Sequence, residues 1–383
     1  IRRPPRSTLF PCTTLFRSTY FGRATFTGKT YFGGATFLSA SFDSARFELD
    51  QVLEVRCVGP ASFGRCSFLG RLDLDVCAQS LDLSEASLGG PARLTLRSTS
   101  LKASTVTASR PVSIEDAPYD HPTAAAAVVW FLGGCVGEVP VIDSSVTTLS
   151  RTVLDDAMTV GSGVLLRDCD LAGVHNLHRL RVTSMTSFDE APHGGRRVLA
   201  AEQSWRRENR PVSWWRPRRW LWRGWQPPAA EITAQKPHEI AATYRELRVA
   251  REAAGDAPGA ADLYYGEMEM RRYDPTRSLG ERSLVWLYWL FGGYGVRVLR
   301  PVIALAVLVV GCTWLIDAHG LVDQHSTGDA VSFTLNSALS LLRPAADATE
   351  LTRWGEVAQI LLKVGVPLFL GLTLLSIRGR VKR

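Results

Sequence analysis

The stretch that decides the fold is residues 35–47, which read ATFLSASFDSARF. A phenylalanine recurs there at every fifth position, at Phe37, Phe42 and Phe47, and an alanine lies two residues before each of them. A helix repeats every 3.6 residues and a strand every two, so neither produces a period of five. A solenoid with short flat sides does, because each side directs one large and one small residue inward. This stretch therefore predicts a β-solenoid with a phenylalanine core.

The same register extends to both sides of that stretch. At steps of five or six residues, its rungs are Phe21, Phe26, Phe32, Phe37, Phe42, Phe47, Val52, Cys57, Phe63 and Phe68. From 72 to 114 the pattern loosens into a mixture of alternation and five-residue steps, which still predicts coils or short strands. Residues 121–131 hold four alanines and a short apolar run, and predict a helical insertion on the stack. Short β-branched runs resume from 139 to 182.

A small residue, a polar residue, Leu or Phe, and two variable residues form the repeat of the pentapeptide-repeat family. Residues 19–70 resemble this repeat strongly, residues 160–182 resemble it less closely, around the unit 168–173, and the residues between them resemble it weakly. The resemblance implies a right-handed, four-sided β-helix. Its inward core residues would be Phe21, Phe26, Phe32, Phe37, Phe42, Phe47, Phe63, Phe68 and Leu171. Some members of the family mimic duplex DNA with an acidic face, but residues 19–70 carry four acidic against five basic side chains, which argues against DNA mimicry.

Residues 1–18 read IRRPPRSTLFPCTTLFRS, which is the translation of a common sequencing adapter with Cys12 in place of a tyrosine. We interpret this segment as a sequencing artefact and not as protein. On this interpretation, Phe16 falls into the five-residue register by coincidence. The four arginines of the segment supply more than half of the net charge of +7, so the rest of the chain is only weakly basic.

The composition bounds the protein class. A chain of 383 residues with 21% charged and 46% hydrophobic residues has room for two or three domains. Its seven cysteines contain no C-x-x-C pair, which argues against a disulfide framework and a zinc ribbon. Cys57, Cys66 and Cys169 fall at inward positions of the solenoid, where a small hydrophobic side chain suffices.

The organisation predicted from these patterns is a mixed fold: a β-solenoid, a helical connector and an α-helical transmembrane hairpin. Pro237 and the turn at 255–259 predict two helices within residues 237–272. The predicted divisions are 1–18 (adapter), 19–116 (solenoid), 117–200 (irregular continuation), 201–235 (Trp/Arg-rich linker), 236–275 (helical connector) and 276–383 (membrane domain).

Residues 205–228 hold seven arginines and six tryptophans, with one acidic residue. Tryptophan and arginine together favour the headgroup layer of a bilayer. The alternatives are an irregular linker packed on its own protein and, least favoured, stacking on single-stranded nucleic acid. The predicted membrane-interface residues are Trp214, Trp215, Trp220, Trp222 and Trp225, followed further along the chain by Trp286 and Trp289.

Two apolar stretches, 298–317 and 357–377, are long enough to cross a bilayer, with Lys363 near one end of the second. Six arginines lie between 271 and 300, and four basic residues follow 377. The loop 317–356 holds six acidic residues against two arginines. The positive-inside rule then predicts a multi-pass protein of the bacterial inner membrane with the solenoid and both termini in the cytoplasm.

Within the loop, residues 330–342 form an apolar segment of re-entrant length. Span, short helix and span is the plan of two-span potassium-channel pore domains, and Phe333, Thr334, Ser337 and Ser340 resemble their pore helix. The glycine-rich filter that should follow is replaced by Leu341-Leu342-Arg343-Pro344, which argues against potassium conduction. The resemblance therefore implies a channel-like but filterless module.

No catalytic motif is evident in the sequence. Gly161-Ser162-Gly163 lacks the third glycine of a dinucleotide loop, and His175 and His178 lack a third metal ligand. We therefore predict no catalytic, cofactor or metal residues, and favour a non-enzymatic role. The predicted function is a membrane-tethered scaffold whose partners are the lipid bilayer and a protein. The alternatives are a channel-like homo-oligomer and a membrane-associated oxidoreductase, although no residues to carry a flavin or a nicotinamide are evident.

Overall fold

The computed structural model describes residues 14–16, 18–33, 35–97, 99–117, 144–192, 196–209, 224–225, 228, 232–319, 327–339 and 352–381. The chain divides into two compact units, Ile1–Met270 and Arg271–Arg383. The first unit contains all of the described strands, and the second contains helices only. This agrees with the mixed fold predicted from the sequence.

The strands of the first unit are short, as a solenoid with narrow sides requires. In chain order they are β1 (Thr14–Phe16), β2 (Thr19–Tyr20), β3 (Thr25–Phe26), β4 (Ala35–Phe37), β5 (Ala40–Ser41), β6 (Arg46–Phe47), β7 (Gln51–Cys57), β8 (Pro60–Ser62), β9 (Ser67–Phe68), β10 (Leu72–Cys77), β11 (Ser80–Asp82), β12 (Ser87–Leu88), β13 (Ala92–Arg97), β14 (Ser100–Lys102), β15 (Thr107–Ala108), β16 (Val112–Asp116), β17 (Ser145–Thr148), β18 (Val153–Leu154), β19 (Met158–Val160), β20 (Leu180–Val182), β21 (Asp189–Glu190) and β22 (Arg197–Val198).

Strands β1 to β20 form three parallel sheets, one of eight strands and two of six, so the solenoid makes about six turns. Each strand pairs with the strand one coil further along the chain. In the eight-stranded sheet, Leu74 of β10 lies between Leu53 of β7 and Leu94 of β13. Strand β1 pairs with β4, so the residues interpreted as adapter continue the stack in register. Strands β21 and β22 form a separate antiparallel pair.

The core of the early coils is made of two columns of stacked phenylalanine rings. In one column, Phe42 lies between Phe21 and Phe63, with ring centroids 4.9 and 4.5 Å apart. In the other, Phe47 lies between Phe26 and Phe68 at 4.6 and 4.8 Å. The buried members of the predicted core are Phe37, Phe42, Phe47, Phe63, Phe68 and Leu171, whereas Phe21, Phe26 and Phe32 are half-buried.

One rung of the predicted register is wrong. Val52 is 70% exposed, and Leu53 beside it is fully buried. The cause is strand β7, whose seven residues alternate between the inside and the outside of the coil, so that Leu53, Val55 and Cys57 point inward. A side of the solenoid that is longer than a pentapeptide follows the two-residue period of a strand.

One corner of the coils is formed by a row of left-handed residues, one in each turn. Their φ angles lie between 55° and 66°, and the row comprises Arg23, Ser44, Arg65, Glu85, Thr105, Arg151 and Gly173. The backbone N–H at this corner donates to a carbonyl of the next coil, as Arg65 N does to Ser84 O at 2.8 Å. These inter-coil hydrogen bonds offset the cost of the left-handed conformation, which is about 1–2 kcal/mol for a non-glycine residue.

The stack is interrupted by one long insertion. Ile114 of β16 pairs with Leu94 before it and Val160 after it, although Val160 is much further along the chain. The helix predicted for 121–131 falls in this insertion and lies outside the described residues. Gly161-Ser162-Gly163 forms a turn directly after β19.

The described chain also contains helices. In order they are α1 (Ala200–Glu208), α2 (Pro237–Ala253), α3 (Ala257–Tyr273), α4 (Leu279–Leu287), α5 (Leu299–His319), α6 (Thr327–Leu339) and α7 (Arg353–Val381), with 3₁₀ turns at Leu177–Arg179, Met185–Ser187 and Gly293–Gly295 and a π-helical turn at Tyr288–Gly292. The pair predicted within 237–272 corresponds to α2 and α3. Helix α2 begins with Pro237, whose fixed φ suits a first turn.

In the second unit, α5, α6 and α7 pack around one small apolar cluster formed by Cys312, Ile316, Ala330, Ala358, Leu362 and Val366. Both α5 and α7 are long and apolar enough to cross a membrane. Only 17% and 22% of their most apolar windows is buried within the chain. Most of this apolar surface therefore has no protein cover among the described residues.

The buried thiols lead to a first prediction. Cys57 and Cys66 lie in the solenoid core, and burial raises the pKa of each to about 12. Burial also raises the pKa of Cys77, but Arg56 and Arg97 oppose this shift, and Cys77 lies on the outer face of β10 where solvent reaches it. Since the thiolate is the reactive form, we expect iodoacetamide to modify Cys77 well before Cys57 and Cys66 in the native protein. Peptide mapping over time measures the three rates. Equal modification rates for the three cysteines in the native protein would contradict the inward placement of Cys57 and Cys66. In urea, all three should be modified at the same rate.

Candidate functional site

A cleft of about 710 Å³ runs along the corner row of the last coils and helix α2 in the first unit. Concave surfaces of this size are the usual places for a ligand or a peptide segment. The solenoid wall is Ser104, Thr105, Ser150, Arg151, Leu171, Ala172, Gly173, Val174 and Leu177; the opposite wall is Thr233, Ala234, Gln235, Glu239, Ala242, Thr243 and Glu246.

Two hydrogen-bonded contacts hold the walls of the cleft together. Asp170 is 3% exposed, and its Oδ2 accepts from the Thr233 hydroxyl at 2.6 Å and from Thr233 N at 3.2 Å. At the other end, Glu246 Oε2 accepts from Leu177 N at 3.0 Å. Charged acceptors make these bonds stronger than neutral ones, so the width of the cleft is set by Asp170 and Glu246.

The lining offers hydroxyl groups and one cation. Five serines and threonines face the cleft. Glu239 Oε2 accepts a hydrogen bond from Lys236 N at 2.8 Å at the start of α2. Arg151 is exposed, and its side chain forms no ion pair with the described residues. Since the lining also holds the carboxylates of Glu239 and Glu246, Arg151 is the one position among these lining residues that suits an acidic group of a polar ligand.

A buried ionic network lies next to the cleft and joins α1, α2 and α3. Glu202 of α1 is fully buried between Arg196 and Arg206, and both guanidinium groups donate to its carboxylate. Tyr244 of α2 donates its hydroxyl hydrogen to Glu202 Oε2 at 2.6 Å and accepts from Leu199 N at 3.0 Å. Arg206 also donates to Glu269 of α3 at 2.9 Å. The network fixes α2, which forms one wall of the cleft.

The electrostatics of this network keep it charged. Burial disfavours the carboxylate of Glu202, but the charges of Arg196 and Arg206 outweigh that effect and lower its pKa from 4.5 to about 2. Burial, and then the negative charge of Glu202, raise the pKa of Tyr244 far above its usual value, so the phenol stays protonated as a donor. Because the carboxylate of Glu202 and the hydroxyl of Tyr244 are bonded within the cluster, the cluster holds the three helices together.

The predicted interface tryptophans fall in three places. Trp214, Trp215, Trp220 and Trp222 lie outside the described residues. Trp225 is half-buried in the first unit, with the guanidinium of Arg206 4.7 Å from its ring centroid. Among the described residues, Trp225 is thus packed on its own protein, which is the linker interpretation of this segment.

Trp286 and Trp289 lie in the second unit, ahead of α5. Their rings are half-buried and 6.4 Å apart. Two guanidinium groups lie over the ring of Trp289, that of Arg272 4.4 Å and that of Arg300 4.8 Å from the ring centroid. Such cation–π pairs hold the aromatic ring and both charges in one layer.

The pore-like residues lie on α6. Thr334 and Ser337 are buried, and Thr334 Oγ1 donates to Ala330 O at 2.8 Å within the helix. Phe333 is half-buried against the apolar cluster of the second unit. Ser340 lies outside the described residues, as does the segment 341–344. Within the described ranges, no group of three His, Cys, Asp or Glu side chains could hold a metal ion.

Comparison with models of protein families, with curated proteins and with solved structures finds no match for this chain.

Sequence reasoning missed the network around Glu202 and the contact between Asp170 and Thr233. Both connect segments more than 40 residues apart, so no local sequence pattern predicts them. One available signal was the segment 200–208, AAEQSWRRE, which has good helix formers and opposite charges four residues apart at Glu202 and Arg206. That pattern predicts a helix, but it does not reveal that the charges are buried.

Proposed function

We propose that this protein is a membrane-anchored pentapeptide-repeat scaffold of the bacterial inner membrane. In this proposal, the solenoid lies in the cytoplasm and binds a protein partner in the cleft beside α2. The observation that carries the proposal is the combination of a rigid parallel solenoid with two apolar helices in one chain. A scaffold needs a rigid binding surface and a fixed location in the cell. In this proposal the solenoid supplies the surface, and the two apolar helices supply the location.

The pentapeptide-repeat assignment is supported by the core of the early coils. Large side chains at five-residue steps, such as Phe42 and Phe47, are buried, and so are the small residues Ala40 and Ala45 two positions before them. Strands one coil apart pair in register, as Phe47 does with Phe68. This combination is what the repeat of the family would produce.

The membrane anchor is supported by uncovered apolar surface. Exposed residues on α5 include Val307, Val310 and Trp314, and on α7 Leu368 and Leu374, each more than half exposed. Leaving so much apolar surface in water is unfavourable by about 25 cal/mol per Å². The arginines of 271–300 and the acidic loop then orient the anchor with the solenoid in the cytoplasm.

The cleft is the best candidate for the partner because it is concave, polar and rigidly held. An extended peptide in the cleft could donate hydrogen bonds to, and accept them from, the five hydroxyl side chains that line the cleft. Arg151 would pair with an acidic side chain of that peptide. The mixed charge of the early coils does not favour nucleic acid as the partner.

Site-specific photocross-linking in cells of the source organism tests this proposal. A photoreactive residue in place of Ala242, on the cleft wall of α2, should capture one discrete protein. The same residue in place of Thr107, on the exposed outer face of β15, should capture none. Arg151→Glu should weaken the adduct at 242 about tenfold, because like charges across an interface repel. Equal adducts at both positions, or none at 242, would refute a partner site in the cleft.

The second candidate function is a channel-like oligomer, and the position of α6 favours it. Helix α6 lies against both α5 and α7, with Ala330 fully buried in their shared cluster. Purified protein reconstituted in liposomes should then pass ions. A silent flux assay together with a monomeric particle would exclude this candidate.

A further inference from the structure

A tight, left-handed turn precedes α5. Gly293, Tyr294 and Gly295 have successive φ angles of 50°, 58° and 71°. Tyr294 is only 1% exposed, and its ring packs edge-on against Tyr288 with centroids 5.9 Å apart. A bulky residue adopts a left-handed conformation only where its surroundings hold it there. The turn is therefore a fixed element of the second unit.

This turn brings two arginines together. A Cβ atom at Gly293 would lie 3.0 Å from Arg297 Cβ and 3.0 Å from Arg300 Cδ, so the stems of both arginines pack over the bare glycine backbone. Arg300 is fixed further by donating to Trp289 O at 2.8 Å and by lying over the Trp289 ring. Two positive side chains are thus held at the start of an apolar helix.

An open apolar hollow adjoins Arg297. Its volume is about 410 Å³, and it is lined by Arg297, Val298, Leu299 and Val302. Leu299 is 68% exposed and Val302 41% exposed, so the hollow faces outward from the described protein. A charged rim above an apolar hollow matches a molecule with an anionic head and a hydrocarbon tail.

We propose that Arg297, Arg300 and the hollow beside them bind an anionic phospholipid. The phosphate lies at the two guanidinium groups, and one acyl chain fills the hollow over Val298 and Val302. Guanidinium groups suit phosphate because they donate in a planar fork. The site rests on the proposed insertion of α5 in a membrane, but not on partner binding in the cleft.

The surrounding charge supports an anion at this site. Residues 271–300 contain six arginines and two acids. Both acids are engaged by one arginine, since Asp274 lies 3.7 Å from Arg277 and Glu281 also pairs with it. Six arginines against two acids give this stretch a net charge of +4. The apolar hollow selects a lipid over free phosphate, because free phosphate would leave it empty.

Native mass spectrometry of the purified full chain in detergent tests the site with phosphatidylglycerol and phosphatidylcholine of identical acyl chains. We expect phosphatidylglycerol to bind at least tenfold more tightly. Arg297→Gln should weaken that binding about fivefold, because one basic residue near an anionic headgroup contributes about 1 kcal/mol to binding. Arg282→Gln is the matched control. It removes one arginine of the same flank away from the turn, and should change binding less than twofold.

A second variant keeps the charges and fills the hollow. Val302→Trp should reduce phosphatidylglycerol binding while leaving the arginines intact, and glycerol 3-phosphate, which lacks acyl chains, should not displace the lipid. Equal binding of the two lipids, equal losses in Arg297→Gln and Arg282→Gln, or displacement by glycerol 3-phosphate would each overturn the site. If the chain proves not to insert in membranes, the anchor and this site both fail. Insertion without lipid preference refutes only this site.

Discussion

Replacing Phe42 with alanine is expected to lower the free energy of unfolding of the solenoid by about 3–5 kcal/mol. Phe42 is fully buried, and its ring is stacked between those of Phe21 and Phe63. The substitution leaves a ring-sized cavity in the middle of a column, where each coil contacts only its neighbours. The loss should therefore appear first in the coils around Phe42.

Val52→Ala is the matched control for this experiment. Val52 belongs to the same five-residue register but is 70% exposed, so its truncation should change stability by less than about 0.5 kcal/mol. Urea titration followed by hydrogen exchange of the amides of β5, β8 and β11 measures both variants. A similar loss of unfolding free energy in Val52→Ala and Phe42→Ala would contradict the burial seen in the structure. It would show that the five-residue sequence register describes the core better.

Glu202→Gln should destabilise the first unit by about 3–5 kcal/mol, the usual cost of removing one member of a buried ion pair. The substitution keeps the shape of the side chain but removes the carboxylate that Arg196 and Arg206, 6% and 3% exposed, share; Arg206 keeps its bond to Glu269. Thermal unfolding of the purified protein measures the effect. Glu208→Gln, at the exposed end of the same helix, should change stability by less than about 0.5 kcal/mol. Equal effects of the two substitutions would contradict the role of Glu202.

The same carboxylate predicts how stability varies with pH. The pKa of Glu202 is lowered from 4.5 in the unfolded chain to about 2 in the folded protein. A lowered pKa means that the unfolded state binds the proton more tightly. The stabilisation that ionised Glu202 gives to the folded protein is therefore complete above pH 4.5 and is lost as the pH falls towards 2. Glu202→Gln should therefore remove part of the acid sensitivity between these pH values. An unchanged acid profile in Glu202→Gln would contradict the lowered pKa.

The five-residue period of the phenylalanines could be interpreted from the sequence because such a period has few structural explanations. It predicted the solenoid and the inward position of Phe42, Phe47 and Phe63, but it failed at Val52. At β7 the side of the coil is seven residues long, and alternation along a strand replaces the pentapeptide step. The same sequence supports both registers, and only the pairing of Leu53 with Leu74 decides between them.

The candidate sites were harder to predict, because each is made by contacts distant in sequence. The cleft needs Arg151 on a solenoid corner and Glu246 on α2, which belong to separate predicted segments. The left-handed turn at 293–295 has a signal in Gly292-Gly293-Tyr294-Gly295, since glycines mark unusual backbone conformations. That signal predicts a turn, but it does not predict that Arg297 and Arg300 pack over Gly293.

We propose that the solenoid lies in the cytoplasm and is anchored by α5 and α7. Cysteine accessibility in intact cells tests it most directly, in a variant whose native cysteines have been replaced. A cysteine in place of Leu335, half exposed on α6, should react with a membrane-impermeant maleimide added from outside. A cysteine in place of Thr107 on the solenoid should react only after the cells are permeabilised. Labelling of residue 107 in intact cells, or of residue 335 only after permeabilisation, would contradict the account.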